Sequence, residues 1–299
     1  METILELKNV KKTINGKDII KDLNFSVKQG EVFGFLGPNG AGKTTTIRMI
    51  VGLMSITQGD IIVCGKSVKS NFSQAVRQIG AIVENPEMYK FLTGYQNLQQ
   101  YARMQNGISN EKLHEVIELV GLTERIHEEV KTYSLGMRQR LGLAQCLLHD
   151  PKLLILDEPT NGLDPAGMKE IRVHLRKLTR EKGMSVIVSS HLLSEMEMMC
   201  DRIAIIQNGE LIKVQEVNDF VQEDQVMFFF ETSEVGTEAA HWLANHYEMK
   251  LVQLGFTIKC LKKDIPLIIK KLTEYHVAVY SAKPITKTLE DRFLEMTAR

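Results

Sequence analysis

No apolar run in the 299-residue chain approaches the roughly 18 residues that a membrane-crossing helix needs, so the chain is not expected to span a bilayer by itself. Cysteine is scarce. Cys64, Cys146, Cys200 and Cys260 lie far apart, with no CxxC pair and no histidine at metal-ligand spacing. That excludes a disulfide framework and a zinc site, and reduced, buried thiols are expected. A net charge is missing as well, because Lys+Arg and Asp+Glu both total 37. There is no basic field to attract nucleic acid. The opening residues carry no secretory signal pattern, and a cytoplasmic location is expected. The chain does have 43% hydrophobic residues and a length that suits about two domains with real cores.

The most informative stretch is Tyr133 to Pro165, YSLGMRQRLGLAQCLLHDPKLLILDEPTNGLDP. Ser134 reads as the N-cap of a helix that stops before Pro151. The free amides and positive dipole of that helix end suit a phosphate, and Gly136 permits close approach to the backbone. Leu153 to Leu156 reads as a strand buried on both faces, ending in Asp157 and Glu158. Two adjacent carboxylates there are costly unless a cation or a catalytic task uses them. Pro159 and the turn Asn161 to Pro165 close the stretch. A second stretch fits it: Gly37-Pro38-Asn39-Gly40-Ala41-Gly42-Lys43-Thr44 matches GxxxxGK[ST]. It sits between an apolar strand, Val32 to Leu36, and a helical run opening with Thr45. Successive backbone amides there curl around phosphates, Lys43 reaches the terminal ones, and the Thr44 hydroxyl ligates Mg²⁺.

With both stretches in place, the chain resembles the nucleotide-binding subunit of an ABC transporter over roughly Ile4 to Val214. The signature spelling YSLGMRQR, the Asn161-Gly162-Leu163-Asp164-Pro165 loop and the closing Thr288 to Leu294 resemble the bacitracin and lantibiotic (peptide antibiotic) export and immunity subgroup. The resemblance implies a P-loop α/β cassette with a mixed core sheet, an N-terminal antiparallel β-subdomain and a helical subdomain. It also implies ATP and Mg²⁺ as ligands. Gly37 to Thr45 and Ile14 would bind nucleotide, with Ser134 and Gly136 contacting it from a second subunit. Thr44, Asp157 and Glu84 would stand at the metal. Glu158, His191, Lys43 and Glu84 would be the catalytic group, Glu158 polarising water and His191 contacting the γ-phosphate. The implied partners are a polytopic membrane permease and a head-to-tail dimer mate, either a second copy or a paralogous ATPase, with no nucleic acid. The subunit would then sit on the inner face of the cell membrane through the permease.

Two positions depart from the general family pattern. Ile14 stands where an aromatic would stack on adenine, and it either covers the base or packs inward as a strand residue. Glu84 stands where glutamine is usual, although the bacitracin and lantibiotic subgroup carries Glu there. It either approaches Mg²⁺ or faces solvent at a strand end. Hairpins are expected at Asn15-Gly16, Cys64-Gly65 and Asn208-Gly209, helices from Thr93, from Asn110 and over Lys169 to Lys182, and buried strands over Ile79 to Val83 and Ser185 to Val188. The apolar segment Pro86 to Leu92 is the expected seat of the permease. The domain reading is 1–215 for the nucleotide-binding domain, with its helical subdomain at about 86–150, and 216–299 for a small α+β accessory domain of β-α-β-β-α-β order, closed by a helix near Thr288 to Met296.

Two rival functions share the cassette. A repair ATPase would insert long heptads between Thr45 and Tyr133, and a translation factor would carry two cassettes; neither feature is present. An ATP sensor without turnover conflicts with intact Lys43, Asp157, Glu158 and His191.

Overall fold

The computed structural model describes residues 2–105, 107–217 and 226–285, and the chain divides into two compact units, Met1–Val217 and Asn218–Arg299. In the first unit, β1 (Thr3–Ile14) and β2 (Lys17–Lys28) form an antiparallel hairpin. Its turn places Asn15 at φ 49° and Gly16 at φ 78°. Two successive left-handed residues make the twist of the turn match that of the strands. With β4 (Gln58–Val63) and β5 (Lys66–Ser67) this hairpin builds a sheet of order β2-β1-β4-β5.

A second sheet holds β3 (Val32–Leu36), β6 (Ile79–Ile82), β7 (Leu153–Asp157), β8 (Ser185–Ser190), β9 (Arg202–Gln207) and β10 (Glu210–Glu216) in the order β10-β9-β3-β8-β7-β6. All pairings are parallel except that of β10 with β9. β3, β7 and β8 are buried along their whole length, as expected for parallel strands covered on both faces. Phe33 and Phe35 of β3 meet Phe25 of β2 at ring distances of 5.4 and 5.6 Å, so the two sheets share one core. Because β3, β7 and β8 run parallel, whatever follows each of them emerges on one edge. Ligand clefts of open α/β sheets form at that edge.

Among the described residues of this unit the helices include α1 (Lys43–Ile50), α2 (Phe72–Val76), α3 (Gly94–Arg103), α4 (Asn110–Leu119), α5 (Leu135–Leu147), α6 (Pro165–Lys182) and α7 (Leu193–Met199). Thr93 caps α3 in a reciprocal box with Gln96, Ser109 caps α4 and Ser134 caps α5. α6 starts four residues before the Lys169 expected from periodicity. Asp164 accepts a hydrogen bond from Gly167 N at 2.9 Å, and Pro165 occupies the first helical position, where its missing N–H costs nothing.

The second unit contains β11 (Val226–Thr232), α8 (Thr237–His246), β12 (Glu248–Val252), β13 (Gly255–Cys260), α9 (Ile265–Glu274) and β14 (Val279–Ile285). Its sheet order, β12-β13-β11-β14, and its all-antiparallel pairing are ferredoxin-like. Phe228, Phe230, Phe256, Leu243, Ile268 and Leu272 form its core, with Trp242 packed beside them. The last strand begins at Val279 rather than His276, because His276 turns the chain at φ 58°. The helix expected near Thr288 to Met296 lies outside the described residues.

Candidate active site

The phosphate-type loop leaves β3 and enters α1 through Gly42, whose φ of 110° is strained for any side chain. A Cβ there would stand 2.4 Å from Ile20 Cδ1. Glycine is therefore the residue that fits both the backbone and the space at this point of the loop. Lys43, only 6% exposed, donates to Gly37 O at 2.8 Å and Pro38 O at 3.4 Å and lies 3.4 Å from Glu158 Oε1. Thr44 Oγ1 donates to Asp157 Oδ2 at 2.9 Å. Ser189, at the end of β8, donates to Asp157 Oδ1 at 2.5 Å and accepts from Glu158 N at 2.9 Å. Glu158 leaves β7 with φ 50°, a left-handed backbone that turns its carboxylate toward His191 Nδ1 at 2.7 Å. Three parallel strand ends thus present an ammonium, a hydroxyl, two carboxylates and an imidazole side by side.

Lys43, Thr44, Glu158 and His191 line a cleft of about 330 Å³, bounded also by Asn39, Gly40, Gly42 and Thr45, with Ile19 and Asn161. Gly37 and Pro38 contribute carbonyls to the loop, and Ala41 is buried beneath it with its N–H donating to Pro38 O. Asp157 is buried and receives two hydroxyl hydrogen bonds. Among the described residues no group of three or more His, Cys, Asp or Glu side chains is arranged to hold a metal. The Thr44 hydroxyl beside the Asp157 carboxylate offers hard oxygen donors, which fits a Mg²⁺ that takes its other ligands from water and phosphate.

Four expected site residues stand elsewhere. Ser134 and Gly136 line a different cleft, of about 440 Å³, with Met137, Gly162, Asp164 and Gly167. The two clefts share no lining residue. A Cβ at Gly136 would meet only Leu163 Cδ2, at 3.8 Å, so the fold of one chain does not require glycine there. Glu84 has φ 68°, is exposed, ion-pairs with Arg48 of α1 and is not among the residues lining the first cleft. Ile14 is 37% exposed and is not among the residues lining the first cleft, which Ile19 on the partner strand reaches. Sequence reasoning assigned Ser189 no role. Its position two residues before His191 at a strand end was the available signal.

The family model for ABC transporters matches residues 20–161. The chain is 63% identical over 297 residues to the ABC transporter ATP-binding protein YhcH of Bacillus subtilis (strain 168), covering 99% of this chain and 97% of that one. It is 39% identical over 249 residues to the bacitracin transport ATP-binding protein BcrA of Enterococcus faecalis, covering 83% and 80%. Among solved structures, an ATP-binding subunit of an ABC transporter superposes with a TM-score of 0.65 at 30% identity, over 73% of this chain and 91% of that one. With the loop, the paired carboxylates and the histidine at one sheet edge, and with relatives matched over nearly their full length, the chain belongs to the ATP-binding subunits of ABC transporters, the ATPases whose hydrolysis of ATP powers transport.

Proposed function

We propose that this ATPase drives export of, or immunity to, an antimicrobial peptide or drug through a separate polytopic permease. The observation that carries the catalytic part is the convergence of Lys43, Thr44, Glu158 and His191 on one cleft, with the buried Asp157 hydrogen-bonded to Thr44 beside it. The peptide-antibiotic part rests on the likeness to a bacitracin transport protein. Among the described residues no helix is long and apolar enough to cross a membrane, and the proposal places the membrane pathway in a separate partner.

Loop amides from Gly40 to Thr45 hold the phosphates, and Lys43 exchanges its carbonyl contacts for β- and γ-phosphate oxygens. Thr44 and Asp157 would hold Mg²⁺, which supplies charge neutralisation across the phosphates. Glu158 accepts a hydrogen bond from the attacking water, and His191 fixes the Glu158 carboxylate and faces the terminal phosphate. Glu158 next to Lys43 is an arrangement for turnover, which weighs against a sensor that binds without hydrolysing. Ser134 and Gly136 complete the site from a second subunit, arranged head to tail, either a second copy or a paralogue.

Glu158→Gln tests the reading. The amide keeps local hydrogen bonds yet cannot take a proton, so ATP binding is expected to persist while phosphate release stops and an ATP-loaded dimer accumulates in size-exclusion chromatography. Wild-type phosphate release by this variant would remove Glu158 from the mechanism.

A further inference from the structure

The turn after β7 and the turn after β8 each carry a cleft residue, Asn161 with Glu158 on one and His191 on the other. A carboxylate outside the cleft joins them. Glu195, in the first turn of α7, is only 6% exposed, and Thr160 (3%) and Ser190 (1%) are buried with it. Thr160 Oγ1 donates a short hydrogen bond to Glu195 Oε2, and Ser190 Oγ lies 3.4 Å from the same oxygen. Ser190 Oγ also accepts from Leu192 N at 2.9 Å, which fixes the backbone on the far side of His191. Thr160 lies inside the turn closed by Asn161 N to Glu158 O and Leu163 N to Thr160 O.

A buried carboxylate whose polar partners among the described residues are hydroxyls is an expensive way to fill space, and an apolar side chain would pack there more cheaply. We propose that Glu195 is a positioning residue for ATP hydrolysis: through Thr160 and Ser190 it sets the spacing between the segment carrying Glu158 and Asn161 and the segment carrying His191. This rests on the roles proposed above for Glu158 and His191. Ser189 ties the two strand ends beneath the cleft, whereas Glu195 ties the turns that follow them, so the His191 to Glu158 contact is braced on both sides. Residues that act through geometry in this way lose turnover rather than binding when they are cut.

The experiment uses the full chain and measures steady-state ATP hydrolysis, ATP affinity and thermal unfolding for Glu195→Leu, which removes the acceptor, for Thr160→Val, for the conservative Glu195→Gln and Thr160→Ser, and for the pair Glu195→Leu/Thr160→Val. The expected result is that Glu195→Leu and Thr160→Val each lower kcat roughly tenfold to a hundredfold with KM for ATP changed by less than about threefold. Glu195→Gln, whose amide oxygen still accepts from the hydroxyls, and Thr160→Ser keep most of the turnover, and the double variant loses little beyond the worse single one, since both break one contact. Near wild-type kcat in Glu195→Leu and Thr160→Val overturns the proposal. So does a loss of kcat that tracks loss of folded protein, which would make Glu195 a packing residue. A Glu158→Gln control with normal turnover would overturn the reading of the site itself, and this inference with it, so the two failures are told apart.

Discussion

Glu84 is the residue at which sequence and structure separate most instructively. Its position two residues beyond β6 was legible, and so was its departure from glutamine. Its partner was not, because Arg48 lies 36 residues earlier on α1 and only the packing of α1 against the sheet brings the two together. The left-handed backbone at Glu84, φ 68°, is an uncommon choice for a long side chain and aims the carboxylate at Arg48 instead of the cleft. An exposed ion pair of this kind contributes about 0–1 kcal/mol. Glu84→Gln is therefore expected to bind ATP normally and to show a Mg²⁺ requirement within about twofold of wild type, since a screened surface pair carries little energy. Titrating ATPase activity against Mg²⁺ checks this. A pronounced shift of the curve would place Glu84 at the metal after all.

At the scale of elements, the sequence was most readable where one local rule decides the outcome. The Asn-Gly and Cys-Gly turns, the Thr93, Ser109 and Ser134 caps and the fully apolar parallel strands each follow from a few neighbouring residues. It was least readable where a helix start was hidden in a turn motif, as at Asp164-Pro165, or where a seven-residue helix such as α7 gave too little periodicity to detect. α6 also carries a titrating group that no pattern announces. Burial, followed by the nearby Arg140 charge, lowers the pKa of His174 below its ordinary 6.5. The folded protein therefore favours neutral His174, while the unfolded chain protonates it more readily. Its contribution to stability is present above about pH 6.5 and is lost as pH falls toward the folded-state value. His174→Gln is expected to flatten the fall in unfolding temperature over that acid window while leaving the neutral-pH side little changed. Melting curves of both proteins across the window measure it, and parallel profiles would refute the assignment.

For the whole molecule, the first unit presents two separate clefts, and the proposed site needs both. The loop, Glu158 and His191 line one cleft, while the α5 N-terminus with Ser134 and Gly136 lines another that shares none of those residues. Gly136 meets no steric demand within its own chain, so its lack of a side chain is best spent on a ligand carried by a second copy. If that is how the halves meet, two differently disabled chains should rescue each other. Lys43→Ala removes the ammonium from the loop, and Gly136→Asp puts a carboxylate where phosphate would approach the helix end; each alone is expected to abolish hydrolysis. In a mixed head-to-tail dimer, one site inherits both lesions and the other inherits neither. Random pairing puts half of the dimers in the mixed state with one intact site of two, so an equimolar mixture should recover up to roughly a quarter of wild-type turnover. If the two halves instead closed onto each other within a single chain, the mixture would be as inactive as its components.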